Sequence, residues 1–304
     1  MADGLVDTAP RALGPGGPEV GPLGFGAWRF THDDPGRGAE VLEAAVDAGL
    51  TLVDTAEVYG LDWGGRGLGS VEEALGRALA LRPGLRDRVV LATKGGILPP
   101  TPYDSSDLRT AVEGSLRRLG VDHVELYLVH RPDLFTHPQV VADALAGAVA
   151  DGLVGAVGVS NHTPSQTEAL AHHLAARDVP LVATQPELSV VALDPARDGT
   201  LDLAARTGMA VLAWSPLAGG RIATGEGLDP ALGTLLDELA AREGVDRPSV
   251  AVAFALCLPT RPVALLGSQR PERLAALAAA VPTVHLDRED CYRLVVASEG
   301  VPLP

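Results

Sequence analysis

The feature that most constrains this chain is an alternation. Short β-like apolar runs recur between longer segments with helical spacing, and the pattern continues along the sequence. Strands are expected at Leu23–Gly26, Leu52–Asp54, Val89–Lys94, Leu126–His130, Val154–Ser160, Val182–Leu188, Ala210–Ser215 and Val263–Leu266. Several are apolar throughout, as suits parallel strands buried on both faces. The spacing predicts helices over Glu40–Ala48, Ser70–Ala80, Asp107–Leu119, Pro138–Ala150, Pro164–Ala176 and Leu232–Arg242. Ser70-Val-Glu-Glu73 reads as a capping box.

Eight strands separated by helices are the parts of a single (β/α)8 TIM barrel. The 304 residues suit one such barrel and no linker divides them, so residues 1–304 are expected to form one domain. An open doubly wound sheet is the competitor. It places Gly-x-Gly-x-x-Gly after its first strand, whereas Gly24-Phe-Gly26 lacks the third glycine and the immediate helix.

Composition narrows the function. A formal net charge of -15, with no Lys/Arg run, argues against nucleic acid as a partner. No apolar run is long enough to cross a bilayer. The acidic N-terminus does not resemble a signal peptide, which gives a cytoplasmic expectation. Cys257 and Cys291 are expected as reduced thiols, with nothing in the sequence placing them together.

Four polar residues fall at or just beyond strand ends: Asp54, Tyr59, Lys94 and His130. In an α/β barrel these ends open on one face, where active sites lie. Singly, each has a bland explanation: a loop cap, a rim aromatic, a solvated strand end, a satisfied histidine. Jointly they suit carbonyl reduction. A carbonyl receiving hydride becomes an alkoxide and needs a proton. Tyrosine is a weak acid, with a free pKa of about 10, and a nearby Lys94 cation is expected to lower it. Asp54 would hold Lys94, and His130 would polarise the substrate oxygen. A metal-dependent hydrolase on the same barrel is the second enzyme class, but the eight histidines do not form a strand-end ligand set, and no metal is expected.

Asp54-Thr-Ala-Glu-Val-Tyr59-Gly60 resembles the Asp-Ser/Thr-Ala-x-x-Tyr-Gly motif of the aldo-keto reductases. The resemblance covers nearly the whole chain. It extends through Gly24-Phe-Gly-Ala27-Trp28, Thr93-Lys94, Leu128-Val-His130-Arg-Pro-Asp133, Gly158-Val-Ser160-Asn161, Ala213-Trp214-Ser215-Pro216-Leu217 and Leu266-Gly267-Ser268-Gln-Arg270-Pro-Glu-Arg273. It implies the barrel, the tetrad Asp54, Tyr59, Lys94 and His130, and a nicotinamide cofactor bound without a Rossmann domain.

By the same resemblance, Ala27, Trp28 and Asp54 adjoin the cofactor, and Ser160, Asn161 and Gln185 contact the nicotinamide carboxamide. Trp214 takes the ring-stacking position. Ser215, Pro216, Leu217, Gly219 and Arg221 follow the pyrophosphate. Gly267, Ser268, Arg270 and Arg273 meet the adenosine end, where hydroxyl and arginine at a helix start suit the 2′-phosphate of NADP(H) over NAD(H). Ala276-Leu277 stand where many members carry Glu-Asn, so adenine recognition is weakened or differently made. The substrate expected is a small aldehyde, ketone or sugar, or the matching alcohol; Trp28 and the loop around Trp63 would either line an apolar pocket for it or be structural, and the stretch Asp287–Pro304 would reach the barrel mouth. The alternative is a catalytically slow, cofactor-sensing or regulatory protein on the same barrel. Oligomeric state is not written in the sequence.

Overall fold

The computed structural model describes residues 4–98 and 103–301. Eight parallel strands close into a barrel in the order β10-β3-β4-β5-β6-β7-β8-β9. They are β3 (Leu23–Gly26), β4 (Leu52–Asp54), β5 (Val90–Gly95), β6 (Val124–Val129), β7 (Val154–Ser160), β8 (Leu181–Gln185), β9 (Ala210–Ala213) and β10 (Val263–Leu266). A short antiparallel hairpin, β1 (Arg11–Ala12) and β2 (Glu19–Val20), precedes them. The sequence pattern does not reveal this hairpin, because its strands are two residues each.

The helices are α1 (Pro35–Asp47), α2 (Ser70–Ala80), α3 (Leu108–Leu119), α4 (Pro138–Ala150), α5 (Pro164–Ala175), α6 (Thr200–Thr207), α7 (Arg221–Thr224), α8 (Pro230–Glu243), α9 (Arg247–Leu256), α10 (Pro271–Ala280) and α11 (Arg288–Glu299). The strands and helices expected from sequence recur with shifted ends. The expected strands Val182–Leu188 and Ala210–Ser215 stop at Gln185 and Ala213, where the chain turns outward into the mouth. His130 lies one residue beyond β6, and Val89 one residue before β5. α1 begins at Pro35 rather than Glu40 because Asp34 caps it through the Gly36 amide. The capping box expected at Ser70 does not form. Gly69, in the left-handed region at φ 76°, occupies the N-cap, and Ser70 Oγ instead accepts from the Arg66 amide at 3.1 Å. Capping boxes form at Thr163–Gln166 and Asp287–Asp290.

Alternation along the strands sorts side chains into two cores. Leu52, Ala92, Leu126, Leu128, Ala183, Leu212 and Leu265 fill the barrel interior, joined by Leu13 and Val20 of the hairpin. The hairpin therefore plugs the end at which the strands begin, and Arg11 Nη1 ties it to the Pro262 carbonyl at 2.6 Å. Val53, Leu91, Tyr127, Val129, Val157 and Val159 face outward against the helices. Each fully buried Leu or Val contributes about 1.5–3 kcal/mol, so the mouth rests on a stiff base.

The two cysteines, which nothing in the sequence places together, are brought into contact. The free thiols of Cys257, just after α9, and Cys291, on α11, lie close enough to influence each other electrostatically, while Cys257 Sγ donates to the Ala253 carbonyl at 3.4 Å. The C-terminal stretch packs against α8 instead of reaching the mouth: Asp290 pairs with Arg242 at 2.7 Å. Residues 302–304, the end of that stretch, lie outside the described residues.

Candidate active site

The parity that fills the interior also builds the site. Two residues beyond Leu52, Ala92, Leu128, Ala183 and Leu212 come Asp54, Lys94, His130, Gln185 and Trp214. All five therefore face inward at the end where the strands stop. Ser160 takes the same parity on β7 and pairs in register with Gln185. Gly26 pairs with Asp54, and Lys94 with Leu128, so the polar residues form one ring.

Asp54 and Lys94 are buried together, with Lys94 Nζ 2.7 Å from Asp54 Oδ2 and 2.8 Å from the Thr55 carbonyl. Gln185 Nε2 donates to the other carboxylate oxygen, Oδ1, at 2.9 Å. Burial opposes charge on Lys94, but attraction from Asp54 and Tyr59 outweighs it and the ammonium pKa rises. Lys94 is the single lysine of the chain, every other cation being an arginine.

Tyr59 sits on the loop after β4. The Glu57 amide continues the β-ladder to the Lys94 carbonyl at 2.9 Å, and the Tyr59 amide turns back to the Ala56 carbonyl at 3.1 Å. Gly60 permits the next step: its φ is +111°, and a Cβ there would lie 2.1 Å from Ser70 Oγ. The Tyr59 ring then stands 5.1 Å from Lys94 Nζ and 5.9 Å, edge to face, from the His130 ring. Burial pushes the phenol above its usual range. Lys94 pulls it back and Asp54 pushes it up again. The sequence reasoning counted only Lys94 and expected a lowered value. Burial, invisible there, dominates in the fold, so the phenol is the neutral species at physiological pH. Burial, with Lys94 and Arg131 nearby, also holds His130 well below its usual pKa, leaving it uncharged. His130 Nδ1 is buried without a hydrogen-bond partner.

A second ring of hydrogen bonds supports the first. Ser160 Oγ donates to the Gln185 carbonyl at 2.9 Å. Asn161, at φ 57°, donates through Nδ2 to the His130 carbonyl at 3.2 Å and to Ser160 Oγ at 2.8 Å. Its Oδ1 accepts from Trp214 Nε1 at 2.9 Å. Ser160, Asn161 and Gln185, expected to contact the carboxamide, are thus partly engaged with one another and with their neighbours.

These groups open into a cavity of about 890 Å³. Its inner end carries Asp54, Tyr59, His130, Ser160, Asn161, Gln185 and Trp214. Ser215, Pro216, Leu217 and Gly219 line its length, and Gly267, Ser268, Arg273, Ala276 and Leu277 line the far end. Trp28 joins the wall. Four expected residues stand outside that lining. Ala27 and Lys94 are buried, Lys94 beneath the Tyr59 ring; Arg270 occupies the N-cap position of α10 without a side-chain cap; and the exposed Arg221 donates to the Ala218 carbonyl at 3.3 Å. Trp63 touches Trp28 edge-on at 5.7 Å. Among the described residues no group of three His, Cys, Asp or Glu is placed to hold a metal ion.

The Aldo/keto reductase family profile matches residues 22–298. The chain belongs to the aldo-keto reductase family. It is 43% identical over 309 residues to a 6-dehydroglucose reductase of Novosphingobium aromaticivorans, all of both chains being covered. A second 6-dehydroglucose reductase, from Agrobacterium fabrum, is 34% identical over 93% of this chain and 95% of its own. A crystal structure of the thermostable aldo-keto reductase Tm1743, in complex with the inhibitor epalrestat, superposes with a TM-score of 0.80 at 27% identity, covering 95% of this chain and 99% of that one. The protein is therefore an oxidoreductase of this family on a (β/α)8 barrel.

Sequence reasoning missed several cavity residues of this aldo-keto reductase. Arg29, Asp62, Arg131 and Arg247 all line it. Arg29 crosses from the loop after β3 to the Gly219 carbonyl at 2.7 Å while its guanidinium lies 3.9 Å from the Trp63 ring centre. Asp62 accepts from Trp28 Nε1 at 3.1 Å. Arg131 follows the quoted His130 directly, and its position was the available signal. Glu57, inside the quoted motif, was also passed over. It is buried, its Oε2 lacks a partner, and burial and Glu72 raise its carboxyl pKa to about 7.

Proposed function

We propose that this aldo-keto reductase transfers hydride between NADP(H) and a sugar aldehyde or its alcohol, with Tyr59 as the proton donor. The observation that carries the reading is the stack at the inner end of the cavity: Asp54 on Lys94, Lys94 under the Tyr59 ring, and Tyr59 edge-on to uncharged His130.

The long cavity fits a dinucleotide. Gly219 and Gly220 keep positive φ where the chain passes the middle of the cavity. Ser268 and Arg273 lie at the far end by the start of α10, and Arg273 forms no ion pair among the described residues. A hydroxyl, a free guanidinium and a helix N-terminus suit a 2′-phosphate, which favours NADP(H). The bound cofactor would supply the hydride. Trp214 would stack on its ring and Leu217 would lie along the pyrophosphate, with Gln185 Oε1 and the second Asn161 Oδ1 lone pair left as acceptors for its carboxamide.

The protein's own part is the proton. Tyr59 is neutral before reaction and can donate Oη–H as the substrate oxygen gains charge. Lys94 then stabilises the phenolate, and Asp54 and Gln185 hold Lys94 in place. His130, being uncharged, binds the substrate oxygen without competing as an acid. Relatives named as reductases favour catalysis over the regulatory alternative. They also favour a sugar aldehyde, 6-dehydroglucose being the named example. The family resemblance supports a cytoplasmic site of action. The test is reduction of 6-dehydroglucose by the purified protein with NADPH and, separately, NADH. Turnover with NADPH exceeding that with NADH supports the reading, and turnover with neither cofactor contradicts it.

A further inference from the structure

The cavity carries an unspent cation beside the reacting groups. Arg131 lines the cavity, is partly buried, and forms no side-chain hydrogen bond or ion pair among the described residues. The other cavity arginines near the middle are occupied: Arg29 by the Gly219 carbonyl at 2.7 Å, Arg247 by the Asp237 carboxylate at 2.5 Å. Arg273 lies at the opposite end. In a chain with 39 acidic residues against 24 basic ones, a partly buried guanidinium left without a carboxylate is conspicuous.

Its backbone is fixed from both sides. Asn161 Nδ2 grips the preceding carbonyl, that of His130, at 3.2 Å. Pro132 follows, and Asp133 then accepts from the Phe135 amide at 2.9 Å, Thr136 Oγ1 at 2.6 Å and the Ser105 amide at 3.0 Å. The side chain thus starts from a rigid position next to His130. Glu187 feels the charge of Arg221 and of Arg131 but makes no ion pair with either among the described residues. On the Tyr59 side of the same cavity stands Asp62, whose carboxylate already holds Trp28 Nε1.

We propose that Arg131 is a specificity-determining residue: its guanidinium donates to hydroxyl oxygens next to the reacting carbonyl, so the site selects polyhydroxylated aldehydes over plain ones. This rests on the carbonyl-reductase reading of the cavity. A guanidinium fork matches two neighbouring oxygens of a diol. Asp62 across the cavity supplies the opposite polarity, accepting from hydroxyls and repelling an anion. A hydroxyl-rich ligand, both donor and acceptor, satisfies both walls, whereas a plain aldehyde leaves Arg131 desolvated and unpaired.

The test compares D-glyceraldehyde with propanal, matched in carbon number, for wild type, Arg131→Ala and Arg131→Lys, all with NADPH. The wild type is expected to prefer glyceraldehyde. In Arg131→Ala the ratio of the two kcat/KM values should fall by roughly 10- to 100-fold, mostly through KM for glyceraldehyde, because hydrogen bonds to charged groups are worth that much. Arg131→Lys, which keeps the charge and loses the fork, should stay nearer the alanine variant. NADPH affinity, read by tryptophan quenching, reports whether each variant is folded. An unchanged ratio in Arg131→Ala overturns the assignment to Arg131 while leaving the reductase reading intact. Glyceraldehyde 3-phosphate preferred by wild type, with activity restored by lysine, overturns it in favour of an anion site. A wild type that reduces neither aldehyde overturns the reductase reading and this proposal with it.

Discussion

Lys94 Nζ lies 2.7 Å from Asp54 Oδ2, and the two side chains are 1% and 4% exposed. An ion pair so far from water survives only because each partner is fully engaged: Lys94 also reaches the Thr55 carbonyl, and Asp54 the Gln185 amide. Removing one partner leaves a buried charge uncompensated, which costs about 3–5 kcal/mol.

Asp54→Leu is accordingly expected to lose stability on that scale, and the double variant Asp54→Leu/Lys94→Met to recover much of it. Neither should reduce an aldehyde. Chemical denaturation of Asp54→Leu, Lys94→Met and the double variant measures the coupling directly. Because Lys94 is the only lysine, protein labelled with 15N-lysine reports its ammonium as a single side-chain signal. That signal should remain protonated beyond the pH at which a free lysine titrates, since Asp54 and Tyr59 outweigh the opposing burial.

Glu57 makes stability depend on pH. Burial, with Glu72 adding repulsion and Arg118 offsetting part of it, moves its carboxyl from an ordinary 4.5 to about 7. The folded state therefore binds a proton that the unfolded chain has lost between those values. Stability falls as pH rises through that window and levels off above it. The penalty above the window is about 3 kcal/mol for a shift of this size. Glu57→Gln should thus gain stability over the wild type at about pH 8 and match it near pH 4.5. Thermal melts across pH check this, and equal pH dependence in the two proteins contradicts it.

Arg273 is expected to read the 2′-phosphate. Arg273→Ala should weaken NADPH binding by roughly 10- to 100-fold and NADH binding far less, since the lost contact is one charge-assisted hydrogen bond. Equilibrium titration with each cofactor decides it. Equal losses would mean that Arg273 does not distinguish them.

The fold and much of the candidate site were legible in the sequence because the signals are local: strand-like runs alternate with helical ones, and Asp54, Lys94 and His130 stand at strand ends, which in a barrel open on one face. Gln185 is reached only through the family resemblance, and the shared inward parity of all four becomes visible once the register of the strands is known. Residues placed by long-range packing were not legible. Arg29 reaches Gly219 across 190 residues, and Asp62 meets Trp28 only because two loops converge. Ser70 had the right chemistry for a capping box, but left-handed Gly69 took the N-cap and Arg66 claimed its hydroxyl. Cys257 and Cys291 meet only once α9 and α11 have packed on the same core. The direction of the Tyr59 shift failed for a related reason: charge partners can be guessed from motifs, whereas burial is a property of the fold.

The central claim is that Tyr59 delivers the proton, and one comparison tests it most directly. Tyr59→Phe removes the hydroxyl and keeps the ring. NADPH affinity, followed by tryptophan quenching, should be nearly unchanged, while reduction of 6-dehydroglucose falls by at least about 100-fold, the scale of a lost general acid. Full activity in Tyr59→Phe would contradict the account and remove Tyr59 from the chemistry.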